Sequence, residues 1–258
     1  MTIFESIFLG IVQGLTEFLP VSSSGHLALF QYFFHITTPT IFFDTVLHLG
    51  TLIAVIFYLR KDIWKILTTL NERKTLRLVS LLVLATIPAV IAGVFLQNKM
   101  EQIFKSLGFV GLFFIITSII LSLTYFVKRA TKNLDNLSWF DSLFIGIFQA
   151  IAILPGVSRS GSTISASLYR NLKREDAFRF SFLLSIPVIL GAFLLQLKKQ
   201  HFHLFNGDFT LNLIGFLFAA VFGLLSLKII ERVLIKGKFY YFAVYCLVLG
   251  VLILIFIH

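Results

Sequence analysis

The sequence predicts an all-α polytopic membrane protein built as an inverted repeat, each half a re-entrant helix-loop-helix followed by three transmembrane helices. Three observations carry this reading. The 258 residues are 58% hydrophobic and 13% charged, with a mean hydropathy of +0.94, which is too apolar for a soluble globule of this size. Several uncharged runs reach about 20 residues, the length that crosses about 30 Å of hydrocarbon, and they are continuous rather than alternating, which selects helices over strands. The chain also resembles itself: a shift of 136 positions lays Gly10 on Gly146, Gln13 on Gln149, Val21 on Val157, Ser22 on Ser158, Ser24 on Ser160 and Gly25 on Gly161, with Pro20 and Pro155 one place out of step.

The elements follow in order. Residues 3–19 form a helix that Pro20 interrupts, and the next apolar piece, about 25–36, is too short to cross alone, so the pair is read as re-entrant. Spans follow at about 41–59, 76–97 and 107–127, separated by RKDIWKILTTLNERKTLR and by the short connector QNKMEQIFKS. The polar break KRATKNLDN is the seam between repeat one, about 1–132, and repeat two, about 133–258, within a single membrane domain covering 1–258. The second half repeats the plan with a broken pair at about 138–154 and 162–170, the basic stretch YRNLKRED, and spans near 179–197, 209–229 and 239–257. Pro88 and Pro187 are expected to kink their helices. The amino terminus has no basic n-region and carries Glu5, so it is expected to be retained. Cys246, the single cysteine, lies in an apolar run and excludes an intrachain disulfide.

The net charge of +10 is loop charge rather than a nucleic-acid footprint. If both broken pairs are re-entrant, the loops at 60–77, 128–132, 170–179 and 228–238 share one face and hold 17 of the 22 Lys and Arg residues. Lys99, Lys105, Lys198 and Lys199 lie on the other face, and Arg159 is left inside. A single crossing by each broken pair removes this bias, so the positive-inside tendency favours the re-entrant reading. Three full spans between the broken pairs then invert the second half, and the two tips can meet near the midplane. Non-helical backbone at that depth must be buried in protein or line a wet cavity.

At each tip a short helix opens just after a Ser/Gly turn, presenting unpaired N–H groups and a positive dipole end, and two such ends make an anion site. Ser22, Ser23, Ser24, Ser158, Ser160 and Ser162 are either ligands or ordinary helix N-caps. Arg159 is costly at the membrane centre and must face an anion or a partner such as Glu17; its planar fork suits phosphate. Glu17 lies one turn after Gln13 on the same helix face and can serve as general base, as a cation ligand or as the balance for Arg159. His26, three residues after Ser23, is placed for a serine–histidine pair. Asp44 and His48, spaced i, i+4, are expected to satisfy one another or to support the site from behind. His201 and His203 only superficially resemble a metal pair, while Asp141, Glu5 and the loop charges read as interfacial or solvated.

These motifs resemble those of the undecaprenyl-pyrophosphate phosphatases, the bacitracin-resistance family. Gln13-Gly14-Leu15-Thr16-Glu17 is similar to the family's E/Q-x-x-x-E motif, Pro20 to His26 to its P-V-S-S-[ST]-G-H continuation, and Pro155 to Gly161 with Thr163 to its P-G-x-S-R-S-G-x-T motif. The likeness extends to FSFLLSIP at Phe180–Pro187 and covers essentially the full length. The resemblance implies a multi-pass enzyme of the bacterial cell membrane that removes the terminal phosphate of the C55 lipid pyrophosphate with a divalent cation, Mg or Ca. It implies Ser23 or His26 as nucleophile, unless water attacks directly, and Glu17 as metal ligand or base. Arg159 would be the phosphate clamp, with Gln13, Ser22, Ser24, Gly25, Ser158, Ser160, Gly161 and Thr163 around the diphosphate. Its partners are then a polyprenyl pyrophosphate lipid and the bilayer, not nucleic acid, with a homodimer left open. Gln13 stands where many relatives carry a glutamate, which argues against a two-carboxylate metal site. The competing reading is an inverted-repeat transporter or flippase of a lipid phosphate; Ser23 with His26 discriminates, because a transporter has no use for an activated hydroxyl.

Overall fold

The computed structural model describes residues 1–36, 40–127, 130–199 and 208–257. Among these it is all-helical, with one isolated bridge between Lys132 and Leu172 and no further β-structure. The first half comprises α1 (Ile3–Phe18), α2 (Ser23–Phe33), α3 (Ile41–Tyr58), α4 (Arg60–Thr68), α5 (Arg73–Lys105) and α6 (Leu107–Leu123). The second comprises α7 (Trp139–Ile151), α8 (Arg159–Tyr169), α9 (Arg174–Lys199), α10 (Phe209–Ile235) and α11 (Phe242–Phe256). Six helices, α3, α5, α6, α9, α10 and the segment Phe239–Phe256 containing α11, are long and apolar enough to cross a membrane. By contrast α2 and α8 have 11 residues each, about 16 Å of rise, which falls well short of the hydrocarbon thickness.

Two boundaries differ from the sequence reading. The stretch QNKMEQIFKS is not a connector: α5 continues through it to Lys105, and only Ser106 separates it from α6. The stretch contains no Gly or Pro, so nothing in it stops a helix already formed. The 60–77 loop contains α4, whose Ile63 and Ile66 pack against the core while Trp64 and Leu67 stay exposed, the two-faced pattern of an interfacial helix. Both α5 and α9 run on through Pro88 and Pro187. His201, His203, Lys128 and Arg129 lie outside the described residues.

The helices that open the two halves are buried by small residues. In α1 the buried face is Ser6, Leu9, Gly10, Gln13, Gly14, Glu17 and Phe18, a 3.6-residue stripe laid on α10. A Cβ on Gly10 would sit 2.6 Å from the Gly215 carbonyl oxygen, and one on Gly146 in α7 would sit 2.6 Å from that of Ala85 in α5. Close backbone approach of this kind replaces the hydrophobic effect as the packing force between helices in lipid. Hydroxyls reinforce both contacts, Ser6 Oγ donating to Leu211 O at 2.6 Å and Ser142 Oγ to Leu81 O at 2.5 Å. The opening helix of each half therefore packs on a long helix of the other half, and α3 and α9 meet between them.

The basic connections gather at one end of the bundle. Arg179 reaches Asp62 at 3.8 Å, Lys74 reaches Asp135 at 3.9 Å, Arg77 donates to Leu137 O at 2.7 Å, and Gly237 lies against the Arg174 guanidinium. Among them Asp141, expected to be interfacial or solvated, is 0% exposed, which overturns the solvated alternative. It caps α7 with Ser138 and accepts from Lys132 Nζ and Arg170 Nε, each at 2.6 Å. Burial alone raises the Asp141 carboxyl, but the bonds from Lys132, the Ser138 N–H and Arg170 outweigh it and hold the group well below the usual carboxylate range.

Candidate active site

The two Ser/Gly turns predicted to face one another interlock. Ser22 Oγ accepts the Gly156 N–H at 3.1 Å, Ser160 Oγ donates to Leu19 O at 3.2 Å, and a Cβ on Gly25 would come within 3.1 Å of Gly156 Cα. Gly156 has φ +104, where L side chains rarely sit, and a Cβ there would lie 2.5 Å from Val110 O, so only glycine fits. Thr117, in the apolar run of α6, supports this turn by donating to Gly156 O at 2.8 Å and accepting the Ser158 N–H at 3.0 Å.

Each short helix has one side-chain cap. Ser22 Oγ accepts the Gly25 N–H at 3.4 Å, and Ser158 Oγ accepts the Gly161 N–H at 3.0 Å. The other opening N–H groups of α2 and α8 have no partner within their own helix, and both openings converge on the same junction. Ser158 caps with ordinary extended geometry at φ −73. Ser22 does not: its φ of +63 is rare for a residue with a Cβ and costs about 1–3 kcal/mol unless its surroundings hold it. What holds it are the bonds of its hydroxyl to both turns and that of its carbonyl, which accepts His26 Nδ1 at 2.8 Å.

Glu17 is the centre of the cluster. Its Oε1 accepts Arg159 Nη2 at 2.7 Å; its Oε2 accepts Ser23 Oγ at 2.5 Å and Gln13 Nε2 at 3.2 Å. His48 Nε2 stands 3.6 Å from the same Oε2. Gln13 and Glu17 thus share a face as their spacing predicted, and Arg159 does face Glu17. The guanidinium is only partly used, because Arg159 Nη1 is buried without a hydrogen-bond partner, as is Gln13 Oε1.

The serine–histidine pair expected from Ser23 and His26 is not formed. Both ring nitrogens of His26 are committed elsewhere, Nδ1 to Ser22 O and Nε2 to Tyr245 OH at 2.7 Å, with the ring edge-on to Phe114. A carbonyl can only accept, so Nδ1 carries the proton, and the neutral ring accepts the Tyr245 hydroxyl at Nε2. Ser23, at the first position of α2, points back to the end of α1 instead. Asp44 and His48 do not satisfy one another through their side chains either. His48 Nδ1 bonds the Asp44 carbonyl oxygen at 2.7 Å, while the Asp44 carboxylate takes Gln31 at 2.7 Å and Thr40 at 3.2 Å. Tyr245 and Thr117 are therefore absent from the sequence reading, while His48, beside Glu17, takes the supporting position that was the second of its two expected roles. The available signal was a single polar group inside an otherwise apolar run.

The remaining predicted residues sit behind the junction. Ser24 Oγ lies 3.4 Å from Ser22 Oγ, and Ser158 Oγ lies 3.2 Å from Ser160 Oγ. Gly161 packs under Pro20 and Ser158, and Thr163 bonds Arg159 O at 2.9 Å and Ser181 Oγ at 2.6 Å, tying α8 to α9. Donors that point at one carboxylate from three sides make a poor seat for a resident cation: Arg159 already neutralises Glu17, and among the described residues no three His, Cys, Asp or Glu side chains cluster at ligating distance. The arrangement can instead deprotonate one hydroxyl and hold an anion beside it.

Known proteins resemble this chain over nearly its whole length. The family described as "Bacitracin resistance protein BacA" matches residues 6–252. A protein of Methanococcus maripaludis named undecaprenyl-diphosphatase is 40% identical over 255 residues, covering 98% of this chain and 100% of that protein. Proteins of the same name from Carboxydothermus hydrogenoformans, 42% identical, and Moorella thermoacetica, 43% identical, cover 99% and 98% of this chain and 97% of their own lengths.

Proposed function

The chain belongs to the bacitracin resistance protein BacA family, and from that premise we propose how its site performs the reaction. It hydrolyses undecaprenyl pyrophosphate to undecaprenyl phosphate and phosphate, recycling the lipid carrier. The observation that carries the mechanism is the Ser23 hydroxyl held 2.5 Å from a carboxylate that is itself pinned by Arg159, at the meeting of two helix openings.

Glu17 Oε2 takes the Ser23 proton as Oγ attacks the terminal phosphorus. The bond from that phosphorus to the bridging oxygen breaks, and the electron pair departs with undecaprenyl phosphate. The proton on Glu17 leaves with the departing monophosphate, so the carboxylate can next deprotonate the water that attacks the phosphoserine; the P–Oγ bond breaks, phosphate departs, and Glu17 returns that proton to Ser23 Oγ. Phosphoryl transfer asks mainly for positioning and charge stabilisation. Arg159 Nη1, free to donate, and the opening N–H groups of α2 and α8 supply them. His26 holds the strained Ser22 turn, and with it the direction of Ser23.

For the membrane arrangement, α1–α2 and α7–α8 are two re-entrant hairpins entering from opposite faces, in repeats of about 1–132 and 133–258 within the bacterial cell membrane. The shared element order, the interlocked tips, the exchange of partners between halves and the gathering of the basic connections at one end support this placement. The lipid tail stays along the Phe-rich exterior while the head group enters. The exchange of helices between halves also suits a transporter or flippase of a lipid phosphate, the second reading.

The test is phosphate release from farnesyl pyrophosphate by the detergent-solubilised protein and by Ser23→Ala, with acid quenching to trap a phosphoserine. Wild type should turn over, and Ser23→Ala should lose at least about 100-fold in kcat. Turnover of Ser23→Ala within about tenfold of wild type removes Ser23 as nucleophile, and no release by wild type under any cation selects the transporter.

A further inference from the structure

The family resemblance implies a divalent cation, but the groups around Glu17 are arranged to repel one. Its two oxygens already accept three donors, from Arg159, Ser23 and Gln13, and the guanidinium at 2.7 Å cancels its charge. The first-motif position where a second carboxylate would stand is the neutral Gln13. Asp44, on the helix that brings His48 to Glu17, is held by Gln31 and Thr40. Two helix openings turn their positive ends toward the same junction, so a cation bound there alone would meet positive potential from three directions. Mg²⁺ and Ca²⁺ take about six oxygens, and beyond Glu17 and Gln13 Oε1 the rest would have to come from water or from substrate phosphates.

A diphosphate reverses each of these terms, since it offers several anionic oxygens to a cation and to protein donors at the same time. We propose that this protein has no resident cation and that the divalent ion enters as part of the substrate, chelated by the two phosphates of the lipid diphosphate, while Arg159 and the helix openings hold the outer oxygens. The inference rests on the diphosphate reading of the substrate given above, and it makes the metal complex of the lipid, not the free lipid, the species recognised.

The experiment is equilibrium dialysis of Mn²⁺ against the full detergent-solubilised chain, alone and with a farnesyl bisphosphonate whose bridging oxygen is replaced by methylene. Without the bisphosphonate, wild type and Glu17→Gln should give coincident Mn²⁺ isotherms. With it, wild type should retain one additional Mn²⁺ per chain, and Arg159→Ala should lose that retention together with the bisphosphonate. Tighter binding of Mn²⁺ by wild type than by Glu17→Gln in the absence of bisphosphonate overturns the proposal, and so does bisphosphonate retained without Mn²⁺. Should Glu17→Gln fail to fold, Gln13→Ala serves in its place: it removes the unpartnered Oε1 and should leave the Mn²⁺ isotherm without bisphosphonate unchanged, whereas weaker Mn²⁺ binding than wild type overturns the proposal. Phosphate release from farnesyl pyrophosphate, measured on the same wild-type preparation, keeps failure of this inference separate from failure of the phosphatase reading.

Discussion

Replacing Glu17 by glutamine separates the two tasks proposed for this side chain, base to Ser23 and partner to Arg159. The substitution keeps an oxygen to accept from Arg159 and nearly the same volume, but it removes the carboxylate that accepts from the Ser23 hydroxyl. General-base catalysis contributes about 10²- to 10⁴-fold, so kcat should fall by about that factor, or about 2.7–5.4 kcal/mol of barrier. The same change strands the Arg159 guanidinium, whose side chain is 14% exposed beside a carboxylate 7% exposed. Removing one partner of a buried pair costs about 3–5 kcal/mol, and the retained acceptor oxygen places Glu17→Gln near the lower end. The double variant Glu17→Gln with Arg159→Gln removes both charges and should recover most of that stability while staying inactive. Phosphate release from farnesyl pyrophosphate gives kcat, and thermal unfolding in detergent gives stability. If Glu17→Gln keeps kcat within about tenfold of wild type, Glu17 is not the base and the Ser23–Glu17 contact is structural.

Arg159→Lys retains the charge but has one ammonium to serve both Glu17 and substrate, so kcat/KM should fall by about 100-fold; wild-type kinetics would show that the planar fork is not used. His26→Ala should release the Ser22 turn and cost about 100-fold in kcat through misplacement of Ser23, whereas Tyr245→Phe, which removes only the hydroxyl at Nε2, should cost less than about tenfold. The reverse order would return His26 to the role of base. Asp141→Asn should destabilise the protein by about 2 kcal/mol, below the cost for a fully buried pair because Arg170 is partly exposed. Because the folded Asp141 carboxyl is depressed, its contribution is complete above the usual carboxylate range and is lost as pH falls through the folded value. Wild-type unfolding temperature should therefore drop on acidification more steeply than that of Asp141→Asn.

The repeat at 136 positions located both turns, and the helices opening at Ser23 and Arg159 differ by that same interval. Hydropathy alone identified the six long apolar helices, because lipid-facing surface is legible residue by residue. What could not be read was direction. Spacing put His26 near Ser23, but Ser23 Oγ bonds Glu17 on α1 and His26 Nε2 meets Tyr245 on α11, and partners drawn in from distant helices have no local signature. Asp141 looked interfacial or solvated because its partners, Lys132 and Arg170, come from flanking segments that only the fold draws together. For His48 the i, i+4 spacing left a local pair with Asp44 and a supporting place behind the site both open, and only tertiary packing decides for the second.

The reacting hydroxyl and its carboxylate come from the opening of the first half, while the guanidinium lies more than half the chain downstream, joined across the knot where Ser22 meets Gly156. A ribosome that has delivered only the first six helices to the bilayer has therefore made an inert fragment, with Glu17 lacking its guanidinium and the Ser22 turn lacking Gly156. Activity can be acquired only after α8 is in place, with α10 and α11 still to close on α1 and His26. Two fragments divided in the 128–137 connection and synthesised together should regain it, whereas neither should show any alone.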